Sequence, residues 1–332
     1  MTADTLPDSP HLAELADFVL RHPRLLVLTG AGVSTGSGIP DYRDSAGAWK
    51  RRPPVSHQDF VASAAVRRRY WARSLLGWPR MAGARPNRAH TALARLQADG
   101  RIGQLVTQNV DGLHQRAGSS GVLELHGSIH AITCLACGQG MPRAALQAAL
   151  AAANPRFAGL QGAPAPDGDA DLETDSFDDF TVPDCPACGG TLKPDVVFFG
   201  AGVPRARLDT ALQALAASDA LLVVGSSLMV YSGYRFCVKA AQAGIPIAAI
   251  NLGQTRADAL FTHKVPGACG PVLEGLHAAL PARSAGCVDT TTGAPPFIQS
   301  AIMRVCADAT IRRTDAAPPG IARHAGTEPT PQ

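Results

Sequence analysis

With 332 residues, 46% of them hydrophobic, the chain is long enough for one large or two smaller domains with a real apolar core. Its 30 Lys and Arg residues against 27 Asp and Glu leave a net charge of +3, so a basic surface for nucleic acid is not indicated. It contains no apolar run near the roughly 20 residues that span a bilayer and no signal peptide, so we expect a cytoplasmic protein without a membrane partner.

The first part of the chain predicts a helix followed by a buried strand. Ser9-Pro10 is typical of a helix start, and a short apolar run at 25–28 suits a strand buried on both faces. Residues 45–85 contain no clear strand and predict a small helical module. Asn87 can cap the next helix, which precedes a second core strand at 102–107.

The second half of the chain resumes this pattern after an interruption. Residues 134–188 are rich in loop-forming and acidic residues and predict an inserted small domain. The alternation then continues with residues 196–199, a helix at 208–217, a strand at 221–224, a helix at about 234–243 and a strand at 247–250. Strands that alternate with helices predict a parallel sheet covered on both faces. From 281 onward few large apolar residues remain, and we expect a disordered tail at 281–332.

The loop after the first strand, Thr29-Gly30-Ala31-Gly32, carries little side chain and is followed by the hydroxyl of Ser34. Such a loop lets the backbone approach a phosphate, which indicates a nucleotide. The usual dinucleotide fingerprint is incomplete, because its third glycine position falls on Thr35 and no acidic residue follows at the expected distance. An ordinary tight turn is therefore the competing interpretation of the loop alone.

Two cysteine pairs predict a metal site. Cys134-x-x-Cys137 and Cys185-x-x-Cys188 are separated by residues 138–184, and each pair is followed by a glycine that allows a tight turn. Four thiolates suit tetrahedral Zn²⁺ and leave no open coordination position, which indicates a structural ion. Disulfides or a redox pair are the alternatives, and the absence of a secretory signal disfavours them.

His126 is the best candidate for a reactive group in a nucleotide site. It follows a short apolar stretch and precedes Gly127, so its ring could stand in a cleft at a sheet edge. A neutral imidazole can accept a proton near neutral pH. A structural histidine is an equally good interpretation from position alone, and composition does not separate His126 from His57, His90, His114 or His130.

A series of motifs in one fixed order decides between these interpretations. They are Gly30-Ala31-Gly32-Val33-Ser34, Gly38-Ile39-Pro40-Asp41-Tyr42-Arg43, Thr107-Gln108-Asn109-Val110-Asp111, His126-Gly127, the cysteine pairs, Lys193-Pro194-Asp195-Val196-Val197-Phe198-Phe199-Gly200, Gly225-Ser226-Ser227-Leu228 and Asn251-Leu252-Gly253. Over about residues 10–280 this set strongly resembles the sirtuins, the NAD-dependent protein deacylases. Three further motifs resemble its class II, sirtuin-4-like branch: Tyr70-Trp71-Ala72-Arg73, Ala165-Pro166-Asp167-Gly168-Asp169 and Val230-Tyr231-Ser232-Gly233-Tyr234-Arg235-Phe236.

The resemblance implies an α/β fold in which a smaller zinc-binding domain is inserted into a Rossmann-like parallel-sheet domain. It divides a catalytic domain at 1–280 into a large part (about 10–44, 86–126 and 196–280), the helical module at about 45–85 and the zinc-binding part at about 127–195. NAD and the acylated lysine would meet in the cleft between the parts. NAD would be a co-substrate cleaved at its glycosidic bond, which accounts for the incomplete fingerprint.

Carried over motif by motif, the resemblance assigns the NAD contacts. They are Gly30, Ala31, Gly32 and Ser34 at phosphate; Asp41, Tyr42 and Arg43 on a closing loop; Gln108, Asn109 and Asp111 at the nicotinamide ribose and carboxamide; Gly225, Ser226, Ser227, Asn251, Leu252 and Gly253 at phosphate and adenosine ribose; and Cys269 near the adenine. His126 would be the general base for a ribose hydroxyl. The products would be nicotinamide, O-acyl-ADP-ribose and free lysine.

The substrate side departs from many deacetylases. The acylated peptide would add as a strand between Phe199-Gly200 and Val230-Tyr231, but Phe-Gly-Ala and Val-Tyr-Ser-Gly replace the more common sequences there. Tyr70 and Arg73 would share a helix face and could meet an acidic acyl tail, which predicts removal of longer or carboxyl-bearing acyl groups. A solvated Arg73 is the competing interpretation.

Two other functions stay open at this point. A protein ADP-ribosyltransferase would use the same NAD chemistry, and a module that senses NAD or acylated lysine would need the same pocket without turnover. We expect a monomer that acts on acylated lysines of proteins.

Overall fold

In a computed structural model, the chain is described over residues 9–44, 46–50, 54–160, 162–164, 169–172 and 176–282. Its strands are β1 (Leu25–Thr29), β2 (Ile102–Thr107), β3 (Leu123–Glu124), β4 (Gly127–Cys134), β5 (Gly140–Pro142), β6 (Ala163–Pro164), β7 (Ala170–Asp171), β8 (Leu192–Val196), β9 (Ala220–Val224), β10 (Ile247–Ile250) and β11 (His263–Val265). The helices are α1 (Ser9–Arg21), α2 (His57–Ala62), α3 (Ala64–Gly83), α4 (Arg88–Ala98), α5 (Leu113–Arg116), α6 (Arg143–Ala153), α7 (Pro155–Ala158), α8 (Arg205–Ala216), α9 (Tyr231–Gln242) and α10 (Cys269–Ala279).

Six strands form a parallel sheet in the order β11-β10-β9-β1-β2-β3. One half of the sheet runs outward from β1 through β2 to β3, and the other half runs outward from β9 through β10 to β11. The direction of winding therefore changes between β1 and β9, which is where open α/β sheets bind ligands at the carboxyl ends of their strands. The α/β, Rossmann-like prediction is confirmed.

Helices cover both faces of this sheet because its central strands are apolar throughout. Every residue of β1, β9 and β10 is buried. One apolar core lies under α1, α4 and α10, and a second lies under α8 and α9 on the opposite face. The predicted cap of α4 is present, since the Asn87 side chain accepts the Ala89 N–H at 2.9 Å.

The rest of the described chain forms a smaller part around an antiparallel sheet with the order β5-β4-β8. Its core combines Phe60 and Trp71 from α2 and α3 with Leu146 from α6, Phe157 from α7 and Leu192 from β8. The predicted helical module thus shares one core with the cysteine-bearing segment.

Three features of the fold differ from the sequence-based expectations. Residues 196–199 do not start a strand of the parallel sheet, because β8 ends at Val196 and pairs antiparallel with β4. The loop-rich segment between the cysteine pairs also contains a helix that the sequence analysis did not predict, since α6 buries Leu146 and Leu150 at helical spacing. The sequence analysis did not predict β11 or α10.

Some expectations fall on residues outside the described chain. The predicted tail is one of them, because description ends at residue 282, and Ala165–Gly168 of the branch motif are another. No helix in the described ranges has both the length and the apolar composition needed to cross a bilayer.

Candidate active site

Two glycine loops meet at the point where the winding of the sheet changes. Gly30 follows β1 and Gly225 follows β9, and the Gly32 N–H donates to the Gly225 carbonyl at 2.8 Å. A Cβ on Gly30 would lie 2.7 Å from the Cβ of Ser226, and one on Gly32 would lie 2.9 Å from the Gly225 oxygen. The two backbones touch, so side chains at these glycines would push the loops apart.

A buried polar network fixes the residues that follow β2. The Ser34 hydroxyl donates to Asp111 Oδ2 at 2.7 Å, and Asn109 Nδ2 donates to Ser34 Oγ at 3.0 Å and to the Gly30 carbonyl at 3.1 Å. Gln108 Nε2 donates to Ser226 Oγ at 2.9 Å. The network therefore ties the β2 edge to both glycine loops.

Two further histidines lie behind this network. The rings of His90 and His114 are 4.8 Å apart, and Thr29 Oγ1 lies 2.9 Å from His114 Nε2. Burial lowers the pKa of His90 to about 4 and that of His114 to about 3, so both are neutral at pH 7. They pack beneath the loops and do not border the cavity described next.

A cavity of about 680 Å³ opens over the carboxyl ends of the strands. Its walls include His126 and all the residues assigned above to NAD: Gly30, Ala31, Gly32, Ser34, Asp41, Tyr42, Arg43, Gln108, Asn109, Asp111, Gly225, Ser226, Ser227, Asn251, Leu252, Gly253 and Cys269. Tyr70, Phe199, Gly200, Val230 and Tyr231 border it as well. Among the described histidines only His126 reaches this cavity, which separates it from the other candidates.

The ring of His126 is held at both nitrogens. Its Nδ1 lies 2.9 Å from the Gln108 carbonyl, which can only accept, so Nδ1 carries the proton. Its Nε2 lies 2.7 Å from Ser232 Oγ and accepts the serine proton. Burial is the main cause that lowers the pKa of His126 to about 4, with a smaller contribution from the nearby Arg207 charge, while the Gln108 bond opposes the shift. The imidazole is therefore neutral at pH 7.

Gly127 fixes the backbone beside this histidine. Its φ is +83°, and a Cβ there would lie 1.9 Å from the Asp195 carbonyl oxygen. Val197, directly after the end of β8, donates its N–H to the His126 carbonyl at 2.8 Å. The β4–β8 junction thus holds His126 at the edge of the small sheet.

The loop after Gly38 forms another wall. Arg43 places its guanidinium 4.1 Å from the centre of the Trp49 ring and donates to the Gly47 carbonyl at 2.8 Å. Lys50 forms an ion pair with Asp41. The Trp49 ring packs edge-on against Phe199, with centroids 5.5 Å apart. Aromatic packing and one ion pair therefore order the part of this loop that is described.

Residues after β10 and at the start of α10 complete the far end. Asn251 Nδ2 donates to the Gly253 carbonyl at 3.0 Å, while Leu252 is exposed. A Cβ on Gly225 would lie 3.0 Å from Cys269 Sγ. Burial raises the pKa of Cys269 to about 12, so its side chain is a neutral thiol at pH 7. It forms part of the cavity wall and is not a nucleophile.

Arg73 is the one predicted site residue of the substrate side that does not border the cavity. Its Nε donates to the Ala170 carbonyl at 3.1 Å and lies 3.8 Å from Asp169 Oδ2. Tyr70, one turn earlier on α3, is buried and does line the cavity. The sequence predicted that Tyr70 and Arg73 share a helix face. It did not predict that Asp169 would be the acidic partner of Arg73.

The four cysteines come together as predicted. Their sulfur atoms all lie within 4.8 Å of one another, with Cys134 and Cys188 at 3.6 Å and Cys137 and Cys185 at 3.9 Å. Tetrahedral Zn–S bonds of about 2.3 Å place sulfurs about 3.8 Å apart, so the donor set fits Zn²⁺. The glycines that follow the pairs, Gly138 and Gly189, both have positive φ. The four sulfurs would fill all four positions of a tetrahedral ion, so no coordination position would stay open.

Sequence reasoning missed Ser232, the hydrogen-bond partner of His126. It was noticed only as part of the motif Val230–Phe236, although a hydroxyl at the start of a helix beside a loop of the candidate site is a usable signal. Leu228 was also missed. It has a φ of +56° and is the one non-glycine residue with positive φ in the described chain.

Comparison with known proteins agrees with this geometry. The sequence model of the Sir2 family matches residues 30–232. The chain is 58% identical over 264 residues to an NAD-dependent protein deacetylase of Xanthomonas axonopodis pv. citri, which covers 80% of this chain and 90% of that protein. The chain belongs to the Sir2 family.

Two further relatives place this Sir2-family chain more closely. It is 46% identical over 268 residues to the NAD-dependent protein deacylase Sirt4 of Drosophila melanogaster, covering 80% of this chain and 86% of that one, consistent with the predicted branch. A Sir2 variant solved with a deacetylated peptide and 3′-O-acetyl ADP-ribose superposes with a TM-score of 0.66 at 29% identity, covering 80% of this chain and 97% of the other.

Proposed function

We propose that this Sir2-family chain is an NAD-dependent protein lysine deacylase that forms nicotinamide, O-acyl-ADP-ribose and the free lysine. One observation carries the proposal: the neutral His126 borders the same cavity as the two glycine loops. The relatives named as NAD-dependent deacetylases and the structural neighbour with 3′-O-acetyl ADP-ribose support the same activity.

The residues around the cavity suit NAD. The close approach of Gly30 and Gly32 to Gly225 leaves backbone and small side chains facing the ligand, which fits a phosphate group. Bound NAD would supply a ribose carbon whose bond to nicotinamide can be broken. Gln108, Asn109 and Asp111 would orient the nicotinamide ribose and carboxamide, and Asn251 to Gly253 with Cys269 would hold the adenosine.

The closing loop would exclude water from this chemistry. Asp41, Tyr42 and Arg43 border the cavity, and the Trp49 and Phe199 rings pack behind them. A site that excludes water favours attack by the positioned acyl oxygen over hydrolysis. His126 would take a proton at Nε2, because Nδ1 already carries a proton and donates a hydrogen bond to the Gln108 carbonyl.

Protein-bound acyl-lysine would enter beside Phe199, Gly200, Val230 and Tyr231. Val230 and Tyr231 are exposed next to the cavity, and Val230 has extended backbone that can pair with a strand. On the acyl side, Tyr70 borders the cavity, and we propose that longer or carboxyl-bearing acyl groups are accepted there. Because Asp169 and Ala170 hold Arg73 outside, the Arg73→Ala variant should lose activity equally on acetyl- and glutaryl-lysine.

We further propose the domain division given above, in which NAD and acyl-lysine meet between the parallel-sheet part and the zinc-bearing part. Four thiolates from Cys134, Cys137, Cys185 and Cys188 would hold a structural Zn²⁺. We also propose a cytoplasmic monomer whose partners are acylated proteins; the net charge of +3 disfavours a nucleic-acid partner. Light scattering after size-exclusion chromatography tests the monomer.

The test offers NAD and a panel of acetyl-, long-chain and dicarboxylic acyl-lysine peptides and follows nicotinamide and O-acyl-ADP-ribose by mass spectrometry. His126→Ala should lower product formation by at least about 100-fold, as expected for loss of a general base. His11→Ala, an exposed histidine on α1, is the matched control and should keep full activity. Label transferred from NAD to protein would indicate an ADP-ribosyltransferase, and binding without turnover would indicate a sensor.

A further inference from the structure

The nitrogen that must act as the base is occupied within the protein. The Gln108 carbonyl fixes the proton on His126 Nδ1, so the single lone pair of the neutral ring is on Nε2. That lone pair accepts the Ser232 hydroxyl at 2.7 Å. A ribose hydroxyl can give its proton to Nε2 only after the serine hydroxyl has moved away.

Ser232 also lies next to the surface proposed for the acylated peptide. It is the second residue of α9 and directly follows Val230 and Tyr231, whose relative exposures are 38% and 54%. On its other side, Gly233 packs so closely on Gln108 that a Cβ there would lie 2.3 Å from Gln108 Oε1. The first turn of α9 is therefore fixed toward the base and open toward the substrate.

We propose that Ser232 is a positioning residue that caps Nε2 of His126 in the free protein, and that an acylated peptide bound at Val230–Tyr231 releases this cap. The inference rests on the proposed function of the same site. It adds a device that makes the base available only when the second substrate is present.

Peptide binding can act on Ser232 because the two sites share one short piece of backbone. A peptide strand that pairs with Val230 would fix the backbone immediately before Ser232, where the Gly233 and Tyr234 N–H groups already donate to the Val230 carbonyl at 3.2 and 3.1 Å. Rotation about one side-chain bond is enough to take the serine hydroxyl off the ring. The Gln108 bond continues to hold the imidazole in the same tautomer.

The cap has a chemical purpose. With NAD bound and no peptide, a free Nε2 could take a proton from water while the water oxygen bonds to the ribose carbon and nicotinamide leaves. This side reaction consumes NAD without removing an acyl group. A serine hydroxyl on Nε2 removes the acceptor that the water needs.

The cap also has a spectroscopic signature. The Ser232 hydroxyl donates to the Nε2 lone pair of the neutral ring, so its removal should move the ¹⁵N resonance of Nε2 at pH 7. The other influences on this ring stay in place in such a variant: burial, the Gln108 carbonyl and the charge of Arg207. A serine that does not bond to Nε2 would leave this resonance unchanged.

The experiment compares the full-length wild type with Ser232→Ala and with Ser232→Thr, which keeps a hydroxyl. NMR of ¹⁵N-histidine-labelled protein, with the His126 signal assigned by its absence in His126→Ala, gives the Nε2 resonance at pH 7 with and without acetyl-lysine peptide. Ser232→Ala should move the peptide-free resonance, and peptide should move the wild type in the same direction but leave the Ala variant unchanged. Ser232→Thr should behave like the wild type.

Peptide-free hydrolysis of NAD gives the second measurement. It should rise roughly 3- to 10-fold in Ser232→Ala, in line with the loss of one hydrogen bond, and stay at the wild-type level in Ser232→Thr. An unchanged Nε2 resonance or unchanged hydrolysis in the Ala variant would overturn the proposal, as would an equal peptide response in both variants. Deacetylation by the wild type is measured in parallel, and its absence would instead contradict the proposed function.

Discussion

The parallel-sheet part and the zinc-bearing part of this protein are held together by different means. In the first, whole strands such as β1, β9 and β10 are buried between two layers of helices. In the second, the antiparallel sheet has three strands, and its core contains the cysteines Cys134 and Cys185. We therefore expect the first part to be stabilised by buried apolar area alone, and the second to need an ion at its four cysteines in addition to its smaller apolar core.

Each region contains a buried arginine, and the two arginines differ in their hydrogen-bond partners. Arg143 lies in the smaller part with 1% of its surface exposed, and its guanidinium is 5.4 Å from the Trp71 ring and 5.0 Å from the Trp78 ring. Its Nη2 donates to Ser74, while Nε and Nη1 have no partner in the described chain. Burial lowers the pKa of Arg143 to about 10. Arg101, directly before β2 in the parallel-sheet part, is 4% exposed and donates from Nη2 to the Pro281 carbonyl at 2.6 Å.

Removal of zinc should produce the largest effect. Chelation, or the Cys137→Ser variant, takes away binding energy on the order of 10 kcal/mol and should unfold the smaller part. Trp71 and Trp78 report this directly, so tryptophan emission should shift to longer wavelength with loss of bound zinc by elemental analysis. Chelator should add nothing in Cys137→Ser. Unchanged emission in metal-free protein would show that the smaller part does not need the ion.

A methyl group at the junction of the two parts should have the next largest effect. Gly127→Ala combines a left-handed φ with a clash against Asp195, and we expect a loss of about 3–5 kcal/mol in the free energy of unfolding by urea. Gly118→Ala is the control, because its φ of +100° brings the same strain with nothing within 4 Å. It should lose about 1–2 kcal/mol. Equal losses would mean that the contact with Asp195 is unimportant.

Acid should weaken the parallel-sheet part through its buried histidines. His114 has a folded-state pKa of about 3 against an ordinary value of 6.5, so between these values the unfolded chain binds more protons. Stability contributed by the neutral ring is complete above pH 6.5 and is lost as the pH falls toward 3, at up to about 1.4 kcal/mol per pH unit. His114→Gln should flatten the stability profile between pH 4 and 6 in urea titrations. An unaltered slope would contradict the assignment.

Replacement of the buried arginine should have the smallest effect. Arg143→Met removes a buried cation that has two unpartnered donors and fills the same space with an apolar chain, so stability should stay within about 1 kcal/mol or rise. Arg156→Met removes an exposed cation paired with Asp179 and gives the reference for a surface charge. Thermal unfolding of both variants measures the difference. A loss of 3 kcal/mol or more at Arg143 would show that the guanidinium stabilises the smaller part.

Most of the parallel sheet could be predicted because its signal is local. The strands at 221–224 and 247–250 are runs of apolar residues, the segment 102–107 carries Leu105 and Val106 near its end, and the structure places strands in all three. The antiparallel pairing of β8 with β4 could not be predicted in the same way. It joins Gly127 to Val196 across a long insert, and nothing near either residue in the sequence specifies its partner.

The candidate site shows the same difference between local signals and long-range contacts. The glycine loops, the cysteine pairs and His126 were found because each is a short motif, and their order in the chain resembles one family. The distinction between Tyr70 and Arg73 was not available, since it depends on Asp169 and Ala170, nearly 100 residues later. Ser232 was overlooked for a related reason: its importance comes from a bond to a residue 106 positions away.

The sequence by itself determined the alternation of strands and helices, the four cysteines of the candidate metal site and the family, because these depend on local composition and on the order of motifs. Only the tertiary structure decided which histidine borders the cavity, where Arg73 is held and which side chain contacts Nε2 of His126. Those choices depend on contacts between distant segments, and they are set by burial and by hydrogen-bond geometry that no local pattern encodes.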